Sequence, residues 1–390
     1  MSGFTASSVP EPDADARAHS DRMRAEIARA IEAAGGFLPF DRYMQMVLYA
    51  PGLGYYVAGA RKFGSAGDFV TAPELTPLFG RTLAAQVDLI LDATRRREIV
   101  ELGAGSGKLA SDLLNALAAI GKPASRYLII EVSPELRERQ RATIGRLAPS
   151  ELKRVEWTLR SPDRIEGAVV MNEVLDAIPV HLVARRGGAW FERGVSVESG
   201  RLIWAERPLR DARLTAVAAM RFPASGDYAS EINPAAEALV EHVGRRLGAG
   251  ALLIVDYGFP RAEYYLPERN GGTLIGHYRH RAHDDPFLWP GLSDLSAHVD
   301  FTAIAEAGER AGLTVAGFTT QASFLLACGL LDRLRETGAP ESLAYLREAS
   351  AVQTLTSISR MGELFKVLAL VRGEGIDWKG FAPADRSHRL

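Results

Sequence analysis

Three features are scarce in this sequence, and each scarcity excludes a class of protein. The 390 residues include one cysteine, Cys328, which excludes an intrachain disulfide framework and a zinc site built from several cysteines. No apolar run approaches the ~18 residues that a membrane-spanning helix needs. The 46 basic and 48 acidic residues leave a net charge of −2, so no overall positive field attracts nucleic acid or anionic lipid. We therefore expect no membrane-spanning helix, and the sequence gives no strong indication of nucleic-acid binding.

A targeting signal is also lacking at the beginning of the chain. Residues 1–20 contain no basic region followed by an apolar run, and Glu11, Asp13 and Asp15 are unlike an arginine-rich transit peptide. Together with the single cysteine, this predicts a cytoplasmic location. Hydrophobic residues make up 47% of the chain and charged residues 24%, which is typical of a folded globular protein.

The pattern along the chain predicts four regions. Residues 1–18 are expected to form a disordered tail, and 19–95 an N-terminal helical extension with a glycine-rich loop between Pro51 and Glu74. Residues 96–372 are expected to form the main domain, with insertions at about 180–250, 257–300 and 322–360. Residues 373–390 are expected to be a C-terminal tail.

Strands and helices alternate in the main domain. The predicted strands include Glu98–Leu102, Tyr127–Val132, Ala168–Met171 and Ala251–Val255, with helices at Leu109–Leu117 and Glu135–Ile144 between the first three. Such repeated units predict an α/β fold with a doubly wound parallel sheet. The segment Tyr257–Asp300 looks irregular and polar, and Val180–Leu209 alternates like a small antiparallel hairpin.

A glycine-rich loop lies where such a sheet binds ligands, between a strand and a helix. A phosphate-binding Walker loop is excluded because Leu102 and Leu109 occupy two of its required positions, and a dinucleotide fingerprint is weakened by Lys108 in place of its third glycine. The remaining spacing places Glu101 before Gly103, Gly105 and Gly107, and it resembles motif I of class I methyltransferases that use S-adenosylmethionine. The alternative is a tight turn without a ligand.

Glu131 ends the strand that follows this loop. A carboxylate there is placed to accept hydrogen bonds from both hydroxyls of a ribose, while glycines let the loop backbone approach the cofactor closely. A solvated strand end is the alternative interpretation of Glu131.

Motifs spread over about residues 20–372 resemble the MidA family of class I S-adenosylmethionine-dependent methyltransferases, which includes the mitochondrial complex I assembly arginine methyltransferase. In the N-terminal part they are Tyr43-Met44, Leu48-Tyr49, Gly54-Tyr55-Tyr56, Phe63-Gly64, Gly67–Glu74 and Leu78-Phe79-Gly80. Further along they are Asn172–Val180, Asp256-Tyr257-Gly258, Gly272-Thr273-Leu274, Tyr278–Arg281, Asp294 and Ala297–Phe301. Ala104 departs from the pattern, since many relatives carry proline there.

The resemblance implies a class I methyltransferase (Rossmann-like) fold, S-adenosyl-L-methionine as cofactor and arginine of a partner protein as acceptor. A respiratory complex I subunit is the partner that the resemblance suggests.

Arginine is planar, carries five donors and stays charged, so its methylation requires carboxylates that hold the guanidinium. Glu173 follows the strand ending at Met171 and is our first choice for this contact, with Asp176 as a second acid and Asn172 as a cofactor contact. The alternatives are a solvated Glu173 and an Asp176 that caps a helix.

Three further acids are candidates. Asp68 and Glu74 are expected to close over the cofactor, with Gly64 and Gly67 as hinges, although Asp68 also fits a plain turn. Glu231 is a candidate second acid for catalysis, or a residue just before a helix.

No metal site is expected, because His277, His280, His283 and His298 lack the helical spacing of a metal motif and lie near Arg279 and Arg281. Two other functions stay open. One is a non-catalytic assembly chaperone that keeps the fold; the other is a methyltransferase for a small molecule or nucleic acid.

Overall fold

The computed structural model describes residues 9–57, 71–94 and 96–390. Its helices in chain order are α1 (Ala14–Ala33), α2 (Phe40–Tyr49), α3 (Ala72–Leu75), α4 (Pro77–Asp92), α5 (Lys108–Ala119), α6 (Pro134–Leu147), α7 (Ala212–Arg221), α8 (Pro234–Arg246), α9 (Arg261–Tyr264), α10 (Phe301–Arg310), α11 (Gln321–Ala327), α12 (Leu330–Arg335) and α13 (Leu343–Thr356).

The strands in chain order are β1 (Leu38–Pro39), β2 (Glu98–Leu102), β3 (Arg126–Ile130), β4 (Val155–Thr158), β5 (Ile165–Asn172), β6 (His181–Arg186), β7 (Ala189–Glu198), β8 (Arg201–Pro208), β9 (Tyr228–Ile232), β10 (Leu247–Phe259), β11 (Ile275–Tyr278), β12 (Arg281–His283), β13 (Asp294–Ser296), β14 (Val299–Asp300), β15 (Thr314–Thr320) and β16 (Phe365–Arg372).

The chain forms two compact units, each assembled from three segments. Unit 1 has the bounds Met1–Phe69, Asp176–Ala236 and Arg261–His298. Unit 2 has the bounds Val70–Leu175, Glu237–Pro260 and Val299–Leu390. Within these bounds, the structure describes the residues given above. The unit boundaries differ from the regions expected from the sequence. Parts of the expected N-terminal extension and of the insertions at about 180–250 and 257–300 lie in unit 1, whereas the expected insertion at about 322–360 lies in unit 2.

Unit 2 contains an eight-stranded sheet with the order β15-β16-β10-β5-β2-β3-β4, and β14 pairs with β10. The strands from β10 to β4 are parallel, whereas β16 is antiparallel to both β10 and β15. This arrangement confirms the predicted class I methyltransferase fold. The carboxyl ends of β2, β3, β5 and β10 therefore lie at one edge of the sheet, where an open α/β sheet binds ligands.

The core of unit 2 is dense because the central strands are apolar on both faces. Strand β10 is buried along nearly its whole length, as expected for a strand covered by helices on both sides. Cys328 is 2% exposed in this core, and burial raises the pKa of its thiol to about 12, so it is a buried apolar side chain and not a reactive thiolate.

Unit 1 contains a five-stranded antiparallel sheet, in the order β1-β7-β6-β9 with β8 paired to β7, and a three-stranded sheet β12-β11-β13. Its apolar core includes side chains of α1 and α2. In α2 the buried residues recur at helical spacing, which is why this segment forms an amphipathic helix.

Three segments differ from the sequence-based expectation. Helix α1 begins at Ala14, inside the expected tail, because Asp13 caps it by accepting a hydrogen bond from the Ala16 N–H at 2.9 Å. The expected C-terminal tail packs on unit 2, where Phe381 is 2% exposed and its ring lies 5.3 Å from that of Phe324. The segment Tyr257–Asp300, expected to be irregular, contains α9 and the three-stranded sheet.

Across the described residues, every helix is too short or too polar to cross a lipid bilayer.

Candidate active site

The glycine loop connects β2 to α5 in unit 2. Gly103, Gly105 and Gly107 have φ values of 66°, 52° and 84°, in the left-handed region that favours glycine. A Cβ atom on Gly107 would lie 3.0 Å from the Cα of Gln140, and one on Gly103 would lie 2.8 Å from a methyl group of Val174. The loop backbone therefore carries no side chain at these glycines, and it packs against α6 on one side and against the turn after β5 on the other.

Glu131 directly follows β3, and its side chain is 8% exposed. Its Oε1 atom accepts a hydrogen bond from the Ser133 N–H at 2.9 Å, and its Oε2 atom accepts one from the Gln140 amide at 3.0 Å. The carboxylate is therefore held by the protein and is not a freely solvated strand end.

Gln140 is a residue that the sequence reasoning missed. It lies on α6, is 0% exposed and also donates to the Gly105 carbonyl at 3.1 Å, so it joins Glu131 to the glycine loop. No sequence signal could have found it, because a glutamine in a polar helix is ordinary until the fold places it against two loops.

Strand β5 ends at Asn172, and Glu173 follows with a φ of 53°. A left-handed backbone is strained for a residue with a side chain, and such strain concentrates at functional sites. The Oε1 atom of Glu173 accepts hydrogen bonds from the Ala72 N–H at 3.3 Å and the Asn172 amide at 3.1 Å. The carboxylate thus has a fixed place at the carboxyl edge of the sheet.

Asp256 supports the turn that carries Glu173. Its Oδ2 atom accepts from the N–H groups of Val174 at 3.2 Å and Leu175 at 2.9 Å, and its Oδ1 atom accepts from the Tyr257 N–H at 2.9 Å. Asp256 belongs to one of the motifs that resemble the MidA family, but its role as the support of a neighbouring turn depends on the pairing of β10 with β5 and was not predicted.

Helix α3 brings Glu74 to the same region. The Ser106 hydroxyl of the glycine loop donates a hydrogen bond to the Glu74 carboxylate, and Ala72 in the same short helix contacts Glu173. Glu74 thus lies beside the loop, as a cofactor contact requires. Asp68 and its expected hinges, Gly64 and Gly67, lie outside the described residues.

Two further acids near the loop are buried. Glu101 is 2% exposed and accepts a hydrogen bond from the Tyr127 hydroxyl at 2.8 Å; burial raises the pKa of this carboxyl to about 7, although the Tyr127 bond acts in the opposite direction. Burial raises the pKa of Asp112 to about 6, although the charge of Lys108 lowers it.

Asp176 belongs to unit 1 and is 8% exposed. The residues after β5 form turns, so Asp176 does not cap a helix as one alternative proposed. Its carbonyl accepts a hydrogen bond from the Ala297 N–H at 3.0 Å. The Tyr56 hydroxyl, whose pKa is raised chiefly by burial and also by Asp294 and Asp176, donates to both carboxylate oxygens of Asp294 at 3.0 Å.

Glu231 also belongs to unit 1, on β9, and is 1% exposed. Its Oε1 atom accepts from the N–H groups of Thr273 at 2.8 Å and Leu274 at 2.9 Å, and its Oε2 atom accepts from the Tyr264 hydroxyl at 3.2 Å and the Ser230 hydroxyl at 3.1 Å. Four donors occupy this carboxylate, which favours a role in holding the loop of residues 272–274 over the predicted role as a catalytic acid.

One group of metal-ligand types occurs among the described residues of unit 1, namely Asp41, His181 and Glu192. Arg207 already donates to the Oε2 atom of Glu192 at 2.7 and 2.9 Å, and Arg42 lies 3.7 Å from Asp41. These arginines oppose the binding of a cation. His283, from the histidine group named above, lies 3.2 Å from the Ser293 hydroxyl, and burial lowers the pKa of its ring.

The predicted residues therefore fall into two groups. Unit 2 brings together the loop glycines, Glu74, Glu131, Asn172 and Glu173 around the carboxyl edge of its sheet, whereas Asp176 and Glu231 belong to unit 1.

Asn172 has a buried Oδ1 atom that accepts no hydrogen bond from any described residue. A buried acceptor of this kind requires a donor. The ammonium group and ribose hydroxyls of S-adenosylmethionine are donors, so the residues at this edge fit that cofactor.

Comparisons with known proteins agree with this geometry. Residues 78–319 match the model of a family of S-adenosyl-L-methionine-dependent methyltransferases. A crystal structure of a protein from Burkholderia thailandensis bound to S-adenosylhomocysteine is 50% identical, with a TM-score of 0.93, and the match covers 98% of this chain and 100% of that one.

Curated relatives are named protein arginine methyltransferases. The mitochondrial NDUFAF7 homologue of Drosophila melanogaster is 29% identical over 93% of this chain and 88% of its own length. Mitochondrial NDUFAF7 of Homo sapiens is 27% identical over 86% of this chain and 80% of its own length. The resemblance to relatives of the mitochondrial arginine methyltransferase is therefore confirmed. Since the family model spans more than half of its residues, the chain belongs to the S-adenosyl-L-methionine-dependent methyltransferases and is an enzyme of that class.

Proposed function

We propose that this enzyme methylates arginine side chains of a partner protein. The names of the curated relatives from Drosophila and human support this acceptor. The observation that carries the proposal is the carboxylate of Glu173, which lies at the carboxyl edge of the sheet on a strained left-handed backbone and is oriented by two N–H donors.

A guanidinium group fits this carboxylate. An ionised carboxylate only accepts hydrogen bonds, and its two oxygens match the paired N–H groups of a planar guanidinium. A carboxylate that binds one side of the guanidinium also draws its positive charge toward itself. The lone pair of the opposite nitrogen then becomes more available for transfer, and the contribution of Glu173 is orientation and electrostatic stabilisation.

The cofactor supplies an electrophilic methyl group on a sulfonium. In the transfer, the arginine nitrogen forms the new bond to carbon, the carbon–sulfur bond breaks with its electron pair going to sulfur, and the nitrogen then loses one proton to water. Glu173 holds the acceptor throughout, and the glycine loop with Glu131 and Asn172 holds the cofactor.

The test uses methyl-labelled S-adenosylmethionine, cell lysate and mass spectrometry of the labelled proteins. We expect label on arginine with the wild type, and a rate about 10² to 10³ lower with Glu173→Gln, because one preorganised electrostatic contact contributes about this much. Affinity for S-adenosylhomocysteine, measured by calorimetry, is expected to be unchanged in the variant. Glu156→Gln, which alters an exposed glutamate paired with Arg126 in the same unit, is the matched control and is expected to keep the wild-type rate.

Other outcomes contradict the proposal in distinct ways. Label on small molecules or nucleic acid, and not on protein, would show that the acceptor belongs to one of those classes. Tight cofactor binding without any methyl transfer would favour an assembly chaperone. Loss of cofactor affinity in Glu173→Gln would place Glu173 in the cofactor site.

A respiratory complex I subunit is the first protein acceptor to test, on the ground of the family resemblance, and a cytoplasmic location is part of the proposal.

A further inference from the structure

The side chain of Gln140 contacts three parts of unit 2 near the proposed cofactor site, namely Glu131, the glycine loop and Trp157. Its amide nitrogen donates to Glu131 Oε2 at 3.0 Å and to the Gly105 carbonyl at 3.1 Å, and its Oε1 atom accepts from the Trp157 indole N–H at 2.9 Å. Both amide hydrogens and the carbonyl are engaged. The amide has only one orientation that satisfies two acceptors and one donor, so the network also fixes which end is nitrogen.

The consequence for Glu131 follows from counting its acceptor positions. Each carboxylate oxygen can accept about two hydrogen bonds, and among the described residues Ser133 donates to Oε1 and Gln140 donates to Oε2. On this count of the described donors, one position on each oxygen is left for a ligand. The two carboxylate oxygens of Glu131 can therefore accept hydrogen bonds from two adjacent hydroxyl groups. The bonds from Ser133 and Gln140 keep this carboxylate from rotating.

We propose that Gln140 is a positioning residue for the cofactor, which acts by holding Glu131 in the orientation that accepts a vicinal diol. The inference rests on the proposed role of Glu131 toward the ribose. Trp157 has a supporting part, since its N–H keeps the amide of Gln140 from turning over, and the guanidinium of Arg141 covers the indole ring at 4.5 Å.

The experiment measures the dissociation constant of S-adenosylhomocysteine by calorimetry for the wild type, Gln140→Met and Gln86→Met. Methionine keeps the volume of glutamine and removes its hydrogen bonds. Gln86 is the matched control: it is also 0% exposed in unit 2, donates to the Asp377 carbonyl at 2.8 Å and accepts from the Gly380 N–H at 3.0 Å, on the C-terminal segment. Both variants should unfold at a lower temperature.

Of these two variants, Gln140→Met should bind the ligand more weakly, by about 10- to 100-fold, the range expected for lost hydrogen bonds to a charged group. Gln86→Met should stay within about twofold of the wild type. Trp157→Phe, which leaves the amide free to turn, should fall between them. Equal affinities for Gln140→Met and the wild type would overturn the inference.

A second comparison shows whether Gln140 acts through Glu131. In a Glu131→Ala background, the additional Gln140→Met change should weaken binding by less than about threefold, because the group it orients is gone. The full single-variant effect in that background would contradict the inference. If the wild type itself fails to bind S-adenosylhomocysteine, the proposed cofactor site is wrong; if it binds and Gln140→Met binds equally well, only the role of Gln140 is wrong.

Discussion

Glu101 occupies the acidic position of the glycine motif, and its burial against Tyr127 couples folding to pH. Its pKa of about 7 in the folded chain is above the ordinary value for a glutamate, so the folded state favours the protonated form. The stabilisation from this group is fully present below the ordinary pKa and is lost as the pH rises through about 7.

We expect the free energy of unfolding of Glu101→Gln, relative to the wild type, to increase as the pH rises from 5 to 8, because glutamine stays neutral. Urea unfolding at several pH values measures this difference. Tyr127→Phe removes the bond that lowers the pKa of Glu101, so the loss of stability should move to higher pH. A difference between Glu101→Gln and the wild type that does not change with pH would contradict this account.

Single residues were predictable where the motif itself dictates position. The loop glycines and Glu131 follow from spacing, and their left-handed φ values or buried contacts agree with the expected loop. Gln140 and Asp256 were not recognised as supports of the site, because each contacts a loop that is distant from it in sequence. Gln140 contacts the glycine loop, and Asp256 contacts the turn after β5. The strained φ of Glu173 was also hidden, since backbone angles depend on the turn that Asp256 stabilises.

The glycine loop offers a prediction at the level of an element. Gly105→Ala should weaken binding of S-adenosylhomocysteine, because the added Cβ occupies space that the ligand needs at the loop backbone. Gly121→Ala is the matched control: Gly121 follows α5 with a φ of 73°, and a Cβ there meets no atom within 4 Å. Both variants introduce the same left-handed strain of about 1 kcal/mol, so calorimetry should separate them by affinity while thermal unfolding does not.

Elements with a strong pattern were predicted well. The strand at Glu98–Leu102 has the observed bounds, and the predicted strands that correspond to β3, β5 and β10 agree with the observed ones to within four residues at each end. Strand β4 was missed because it is short and half-polar, at the edge of the sheet. The three-stranded sheet of unit 1 was missed because its strands have only three or four residues and include glycine and histidine, which carry little strand preference.

At the scale of the whole chain, the sequence predicted one main domain with insertions, whereas the structure has two units with their own cores. Local periodicity shows where an element begins and ends, but it does not show which distant segments share a core. Parts of the N-terminal extension and of two predicted insertions belong to unit 1. Contacts between residues more than a hundred positions apart join these segments, such as the hydrogen bonds of Tyr49 to Ala177 and of Tyr56 to Asp294. The predicted cytoplasmic location stays a prediction.

The positions of the strands along the chain also determine when the sheet of unit 2 can be completed during translation. Strand β10 is buried at the centre of its sheet, yet its neighbour β16 is made more than a hundred residues later and pairs with it at eight positions. Until that strand emerges, the nascent chain presents an open strand edge that favours aggregation. We expect a chain truncated at residue 364 to accumulate in the insoluble fraction when the full-length chain is soluble, as measured by fractionation of the expressing cells. A soluble truncated chain would contradict this. If the truncated chain is insoluble, we expect the nascent full-length chain to need protection from aggregation until its last strand is made.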